Sequence, residues 1–423
     1  MKKMTFEALG KGLLPDAPSI TVYDEEGRPL ELGAEQELGR GKSGRVFTLP
    51  GAPQFCAKIY SPDLLADPVR QRALVLKLKA MLRIDACRRD PRLCWPQGLL
   101  RANPGGKVIG FVMRKLPDGS RPFVSLFGGA RAVQRVRPGW GRRQLARLAQ
   151  TFVEELARLE AENVRVADFN PRNFAFTPDG AVTFVDCDSY SLLGFDGTAY
   201  ASETYDPESA APELLMDLAR LKQPRTAEAC TFSAHVLAFR IVQMGEHPFS
   251  FLETPDGPRL GTPAENIKAG YTALGGGTGL KRAPHPYALW SWLPATLQQC
   301  FLRTFRDGHR NPAARATLEE LAFGLQKFAF ECERTPERDS LAPDAPKPRR
   351  SAEAPASSYA PPYGAPSYDV PSYGTPSYGA PAFGAVRPAG FRTPPPKTHA
   401  PSRVYTRRNE YLVHSDAYRP FGR

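Results

Sequence analysis

The stretch that decides the fold runs Val166-Ala-Asp168-Phe-Asn-Pro-Arg-Asn173-Phe-Ala-Phe-Thr-Pro-Asp-Gly-Ala-Val-Thr-Phe-Val-Asp186-Cys-Asp188. Phe174–Thr177 and Val182–Val185 read as two short strands joined by a Pro-Asp-Gly turn. Asn173 precedes the first strand and Asp186 follows the second, so an antiparallel hairpin brings both to one end, roughly 5 Å apart at Cα if directly opposed. An amide oxygen beside a carboxylate suits Mg²⁺, a hard cation that takes oxygen ligands. Asp168 lies five residues before Asn173 on the same loop, where it can accept or orient a hydroxyl proton. An ordinary hairpin with acidic turns is the plainer alternative, and three polar residues converging on one end weigh against it.

Upstream, Gly39-Arg-Gly41-Lys-Ser-Gly44-Arg-Val46 fits G-x-G-x-x-G-x-V. Glycines let the backbone approach phosphates, and the bared amides supply donors. A dinucleotide-binding fingerprint would need a helix next, whereas Arg-Val-Phe-Thr-Leu continues as a strand. A P-loop would need glycine where Gln36 stands. A glycine hairpin over a nucleotide remains. Cys56-Ala-Lys58-Ile-Tyr60 then offers one ammonium from an apolar strand, although a lone strand lysine is more often a surface residue.

The flanking pattern supplies the architecture. Residues 18–60 carry β-branched and aromatic runs broken by Gly and Pro, the mark of an antiparallel sheet with tight turns. Residues 68–82 turn helical behind Pro68, with apolar positions 74, 75, 78, 81 and 82. Strand character returns at Lys107–Met113, and Leu145, Leu148, Phe152, Leu156 and Leu159 repeat at helical spacing. The remainder to about Phe330 is mainly helical. The expected fold is α+β: a small antiparallel β-rich lobe, then a larger helical lobe.

After Arg334 the composition changes. An aromatic recurs every five residues at Tyr363, Tyr368, Tyr373, Tyr378 and Phe383, mostly framed as P-S-Y-G. Proline forbids regular helix and sheet while Gly and Ser add chain entropy, so a disordered tail is expected. The domains read as an extension over 1–16, a folded domain over 17–333 and the Pro/Tyr/Ser/Gly-rich tail over 334–423.

Seven scattered cysteines, odd in number and without a C-x-x-C pair, argue against a zinc site or a disulfide framework and fit a reducing cytoplasm. No apolar run approaches the roughly 20 residues that span a bilayer, and the first residues do not read as a signal peptide. A cytoplasmic protein without a membrane partner is expected. The net charge of +12 favours acidic partners without choosing among them. Its densest cluster, Arg131, Arg135, Arg137, Arg142, Arg143 and Arg147, reads as a solvated face leading into a helix. No nucleic-acid-reading motif accompanies it. The basic charge and aromatic repeat keep an RNA-binding or condensate-forming role as a third reading.

The glycine loop, Lys58, D-x-x-x-x-N and the later Asp resemble the protein-kinase signature set in order and spacing. Ala211-Pro212-Glu213 resembles the close of the activation segment, and Arg315 the late arginine that pairs with its glutamate. More closely, the chain resembles a bacterial kinase-like group often joined to a helix-hairpin-helix module and linked to tellurite-resistance-type gene neighbourhoods. The marks are E-L-G-R-G-K-S-G, Gly110-Phe-Val-Met113, D-F-N-P-R-N, V-D-C-D-S, His247-Pro-Phe249 and the run from Phe305 to Pro312. They cover roughly residues 17–330, and no helix-hairpin-helix motif is visible.

The resemblance implies a two-lobed protein-kinase-like fold and Mg-ATP as the bound nucleotide. Gly39, Gly41, Gly44 and Val46 would cover ATP, Lys58 would contact its phosphates, Asp168 would be the catalytic base, and Asn173 with Asp186 would hold Mg²⁺. The implied activity is γ-phosphate transfer to protein hydroxyls, Ser/Thr before Tyr, with the tethered tail as a substrate in cis or trans. The alternative is a pseudokinase scaffold that recruits a protein partner through its tail. Residues 64–84 contain no Glu to pair with Lys58, which leaves another acid or the nucleotide itself to hold it. Asp186-Cys-Asp188 lacks the usual glycine, and Val166-Ala167 replaces the usual His-Arg, so activation through an arginine-bound phosphorylated loop is not expected.

Overall fold

The computed structural model describes residues 19–342, apart from 251, 255–256, 260, 273, 275–280 and 283–288. The 1–16 extension and the P-S-Y-G tail lie outside the described residues. No helix among those described is long and apolar enough to cross a membrane.

Seven strands form the first lobe: β1 (Ser19–Tyr23), β2 (Pro29–Gly33), β3 (Glu37–Gly41), β4 (Gly44–Thr48), β5 (Phe55–Tyr60), β6 (Pro96–Arg101) and β7 (Val108–Arg114). They lie in the order β2-β1-β6-β7-β5-β4-β3, every neighbour antiparallel. Alternation sets the register, since successive side chains of a strand point to opposite faces. Two glycines are there for space: a Cβ on Gly44 would meet the Ile59 carbonyl oxygen at 2.1 Å, and one on Gly110 would meet that of Lys58 at 2.2 Å. Strand β6 is absent from the sequence reading. Its Pro-Gln-Gly opening hides the pattern, and pairing with β7 (Leu99 opposite Phe111) makes it a strand.

Helix α1 (Pro68–Met81) begins where expected, because Pro68 presets the first turn and the Asp67 carboxylate accepts from the amides of Val69 and Arg70 at 2.9 and 3.3 Å. Its buried face differs from the periodic one. Leu78 and Met81 are fully buried, Leu74 and Val75 only half so, and Lys77 joins the buried set.

In the second lobe α2 (Arg142–Ala161) packs against α5 (Leu318–Arg334) and α4 (Ala227–Val242). Leu145, Leu148, Phe152 and Leu159 line its inner face. Phe152 supports the hairpin of β8 (Phe174–Phe176) and β9 (Val182–Phe184), with ring centroids 5.0 Å from Phe174 and 5.7 Å from Phe184. The arginine cluster is not wholly a solvated face. Arg142 is fully buried over the Phe328 ring at 4.7 Å and donates to the Leu289 carbonyl, because its planar cation stacks on aromatics. The α+β, two-lobed, protein-kinase-like architecture expected from the sequence is therefore present.

The lobes meet at the hairpin. Leu93 forms a parallel bridge to Phe184, the Cys94 amide donates to the Phe184 carbonyl at 2.9 Å, and the Phe184 amide donates to that of Arg92 at 2.8 Å. Behind this seam, Arg92 pairs with Asp90 (2.7 Å) and with the buried Glu155 of α2 (3.0 Å), while Arg158 reaches Asp90 at 2.7 Å. Lower down, Glu213 of α3 (Pro212–Met216) forms a two-pronged pair with Arg315, both contacts 2.8 Å. Arg315 also donates to the carbonyls of Gly308 and Glu228 and lies over Phe232. Its side chain is 1% exposed, so removing the partner strands a buried charge.

Glu213→Ala is expected to lower unfolding stability by about 3–5 kcal/mol, measured by denaturant titration. A second expectation concerns His235, held in the aromatic core between Phe301 and Phe305, where burial draws its pKa down to about 4. The unfolded chain takes up that proton near pH 6.5, so stability is full above 6.5 and drains as pH falls toward 4, by about 3 kcal/mol from this group. Unfolding curves across this window should be flatter for His235→Leu than for the native chain.

Candidate functional site

Lys58 sits mid-strand in β5, opposite Val46 on one side and Phe111 on the other. Its side chain is buried, yet its ammonium is fully partnered. Nζ donates to Asp186 Oδ1 at 2.5 Å and to both carboxylate oxygens of Asp188 at 2.8 and 2.9 Å. Tyr60, two residues along and so on the same face, donates its hydroxyl to Asp188 Oδ2 at 2.9 Å. Burial opposes the charge on Lys58, but the two carboxylates outweigh it and hold its pKa above the ordinary lysine value.

Local backbone geometry aims both acids at the one lysine. Asp186 takes the left-handed conformation (φ 56°, ψ 34°) and opens a single 3₁₀ turn, Cys187–Ser189. Acids two apart on that turn both reach Lys58, while Cys187 between them is fully buried. In the D-F-G pattern Asp188 thus stands where the glycine is usual, and the core-buried Cys187 where the phenylalanine is. Burial raises the pKa of Asp188. For Asp186 the charge of Lys58 overcomes burial and holds the pKa down.

The hairpin closes with Phe174 opposite Phe184, so Asn173 faces Val185, whose amide donates to the Asn173 carbonyl at 2.9 Å. Asp186 falls one residue beyond direct opposition. Both still lie at one end of the hairpin. The Asn173 side-chain amide donates to the Asp168 carbonyl at 3.2 Å, fixing the loop and leaving its Oδ1 without a partner among the described residues. The Asp168 carboxylate accepts from the Asn170 amide at 3.1 Å. Burial, with the like charges of Asp206 and Asp186, pushes its pKa up to about 6 against the help of that hydrogen bond.

The glycine segment forms the β3–β4 hairpin: Gly39 faces Val46, Gly41 faces Gly44, and Lys42-Ser43 make the turn. Register then carries Val46 to Lys58, which ties Gly39, Val46, Lys58 and Asp186 into one row of neighbours. Among the described residues no three His, Cys, Asp or Glu side chains group as a metal cage. A nucleotide-borne Mg²⁺ needs only one or two carboxylates beside phosphates and water. Asp186 and the free oxygen of Asn173 fit that demand.

Sequence reasoning missed Asp188 and Tyr60. The signal for both was the spacing of two, in Lys58-Ile-Tyr60 and again in Asp186-Cys-Asp188. The acid that holds Lys58 is supplied by the loop.

The comparisons point the same way. The chain is similar to a bacterial protein kinase. It is 28% identical over 294 residues to Protein kinase YegI of Escherichia coli (strain K12), covering 68% of this chain and 43% of the relative. It is also 28% identical over 309 residues to Protein kinase YegI of Escherichia coli O157:H7, covering 71% and 46%. The chain therefore spans less than half the length of these curated relatives. No family model matches it. The similarity supports a bacterial protein-kinase-like family.

Lys58→Met is expected to cost about 3 kcal/mol, because it strands the carboxylates of the clamp, whereas Asp188→Ala should cost less, since Asp186 stays on Lys58. The double variant should cost clearly less than the sum, which a double-mutant cycle in denaturant would register.

Proposed function

We propose that the chain is an ATP- and Mg-dependent protein kinase that transfers the γ-phosphate to protein hydroxyls, Ser/Thr before Tyr. The observation that carries this reading is the junction of Lys58 on the sheet with the hairpin that bears Asp168, Asn173 and Asp186. The protein-kinase name of the relatives supports the reaction class.

In this reading Gly39, Gly41, Gly44 and Val46 cover the nucleotide, and Lys58 donates to phosphate oxygens. Asp186 and Asn173 hold the Mg²⁺, which neutralises phosphate charge when bound. Asp168 orients the acceptor hydroxyl and takes its proton, with a pKa already raised toward that task. The domain limits of 17–333 and 334–423, and the narrower resemblance to the helix-hairpin-helix-associated group without its module, belong to the same reading. So does phosphorylation of the Tyr and Ser residues of the P-S-Y-G repeat, with a protein partner on that tail. Cytoplasmic placement and a protein substrate complete it.

One observation favours the alternative of a nucleotide-binding pseudokinase scaffold: Asp186 is spent on Lys58. A single experiment separates the two. In single-turnover transfer from labelled ATP, Asp168→Ala and Asp186→Ala should each lower the rate by about 10²-fold or more. Equal labelling by all three proteins would remove the kinase reading, and mass spectrometry of the same samples would show whether the tail carries phosphate.

A further inference from the structure

Lys77 lies on the inner face of α1 beside Leu78, and it is 8% exposed. Lysine is almost never buried to this degree without a partner. Among the described residues Lys77 makes no hydrogen bond and no ion pair. The acidic charges acting on it are Asp188 and Asp186, and the like charges opposing it are Lys58 and Arg225. Lys77 thus lies on helix α1 within electrostatic reach of the Lys58 clamp, and its three donors have no partner among the described residues.

The charges of this cluster leave a role open. Asp186 and Asp188 already share Lys58, and Tyr60 completes Asp188. Lys77 is a second cation that this arrangement does not need for its own hydrogen bonding. Nor is it a loose side chain. Its helix is capped by Asp67, tied to the sheet by Gln71 donating to the Val108 carbonyl at 3.1 Å, and tied at its far end by Trp95 donating to the Met81 carbonyl at 3.0 Å. Protein kinases put a glutamate on this helix to hold the strand lysine. Here the acid has moved to Asp188, and the helix offers a base.

We propose that Lys77 is a second polyphosphate-binding ammonium of the cleft. It donates to nucleotide phosphate oxygens from the helix side while Lys58 does so from the sheet side. The inference rests on the nucleotide reading above and deepens it. A group that meets only phosphates should matter in proportion to their number. Nucleoside triphosphate should depend on Lys77 most, diphosphate less, and the bare nucleoside not at all.

The test is calorimetric binding of ATP, ADP and adenosine, with Mg²⁺, to the full chain carrying Lys77→Met, Lys77→Gln or Lys77→Arg. A charge-assisted hydrogen bond lost with its charge predicts about 10- to 100-fold weaker ATP binding for Lys77→Met and Lys77→Gln. ADP should weaken less, adenosine should be unchanged, and Lys77→Arg should stay near the native chain. The unfolding midpoint of Lys77→Met should not fall, since a buried unpaired charge has been replaced by an apolar group of similar length. Native-like ATP binding by both neutral variants would overturn the role of Lys77 alone. Equal weakening for all three ligands together with a lowered midpoint would make it a structural residue instead. A native chain that binds neither ATP nor ADP would overturn the nucleotide reading itself, and this inference with it.

Discussion

The site depends on one buried ammonium shared by two carboxylates. Lys58 comes from the sheet of the first lobe, Asp186 and Asp188 from the loop that leaves the hairpin of the second. Neither side is tolerable alone, because an unpaired charge at this depth costs several kcal/mol. The clamp therefore sets the position of the sheet over the hairpin as well as the chemistry between them. The seam from Arg92 to Cys94 along β9, with the Asp90, Glu155 and Arg158 network beside it, holds the same junction.

Placing both acids on one loop has a mechanical consequence. Where a helix glutamate holds the strand lysine, a swing of that helix moves the lysine. Here Lys58 is positioned by a turn that the Phe152, Phe174 and Phe184 cluster supports from below. Helix α1 is tied to the sheet by Gln71 and supplies no hydrogen-bond partner to Lys58 among the described residues. Asp188, pinned by Lys58 and Tyr60, stiffens the position where a glycine would give freedom.

The hairpin, the glycine turn, the sheet and the long helices were legible in the sequence because each repeats a local pattern: alternation, a turn signature or a 3.6-residue stripe. Glu213 and Arg315 were legible from their motif and meet as a two-pronged pair. What could not be read was set by neighbours distant in the chain. Strand β6 exists because β7 lies beside it. Arg142 looks like the start of a charged face and is buried because Phe328, nearly two hundred residues later, offers it a ring. Asp188 looks like the second acid of an acidic turn until Lys58 and Tyr60 close over it. Lys77 breaks the apolar stripe of α1, and nothing in the helix pattern marks it as a buried cation.

The clamp also bears on how Asp186 can serve two partners. In the proposed reaction Asp186 must exchange Lys58 for a divalent cation. Were it the sole partner of Lys58, that exchange would leave a buried ammonium bare at several kcal/mol. Asp188 removes the obstacle, since it keeps both of its oxygens on Lys58 whatever Asp186 does. Tyr60 holds Asp188 in turn, so the carboxylate does not follow Asp186 when it leaves. The pairing of Lys58 with Asp186 is thus compatible with turnover, and the second acid, absent from helix α1, is what makes it so.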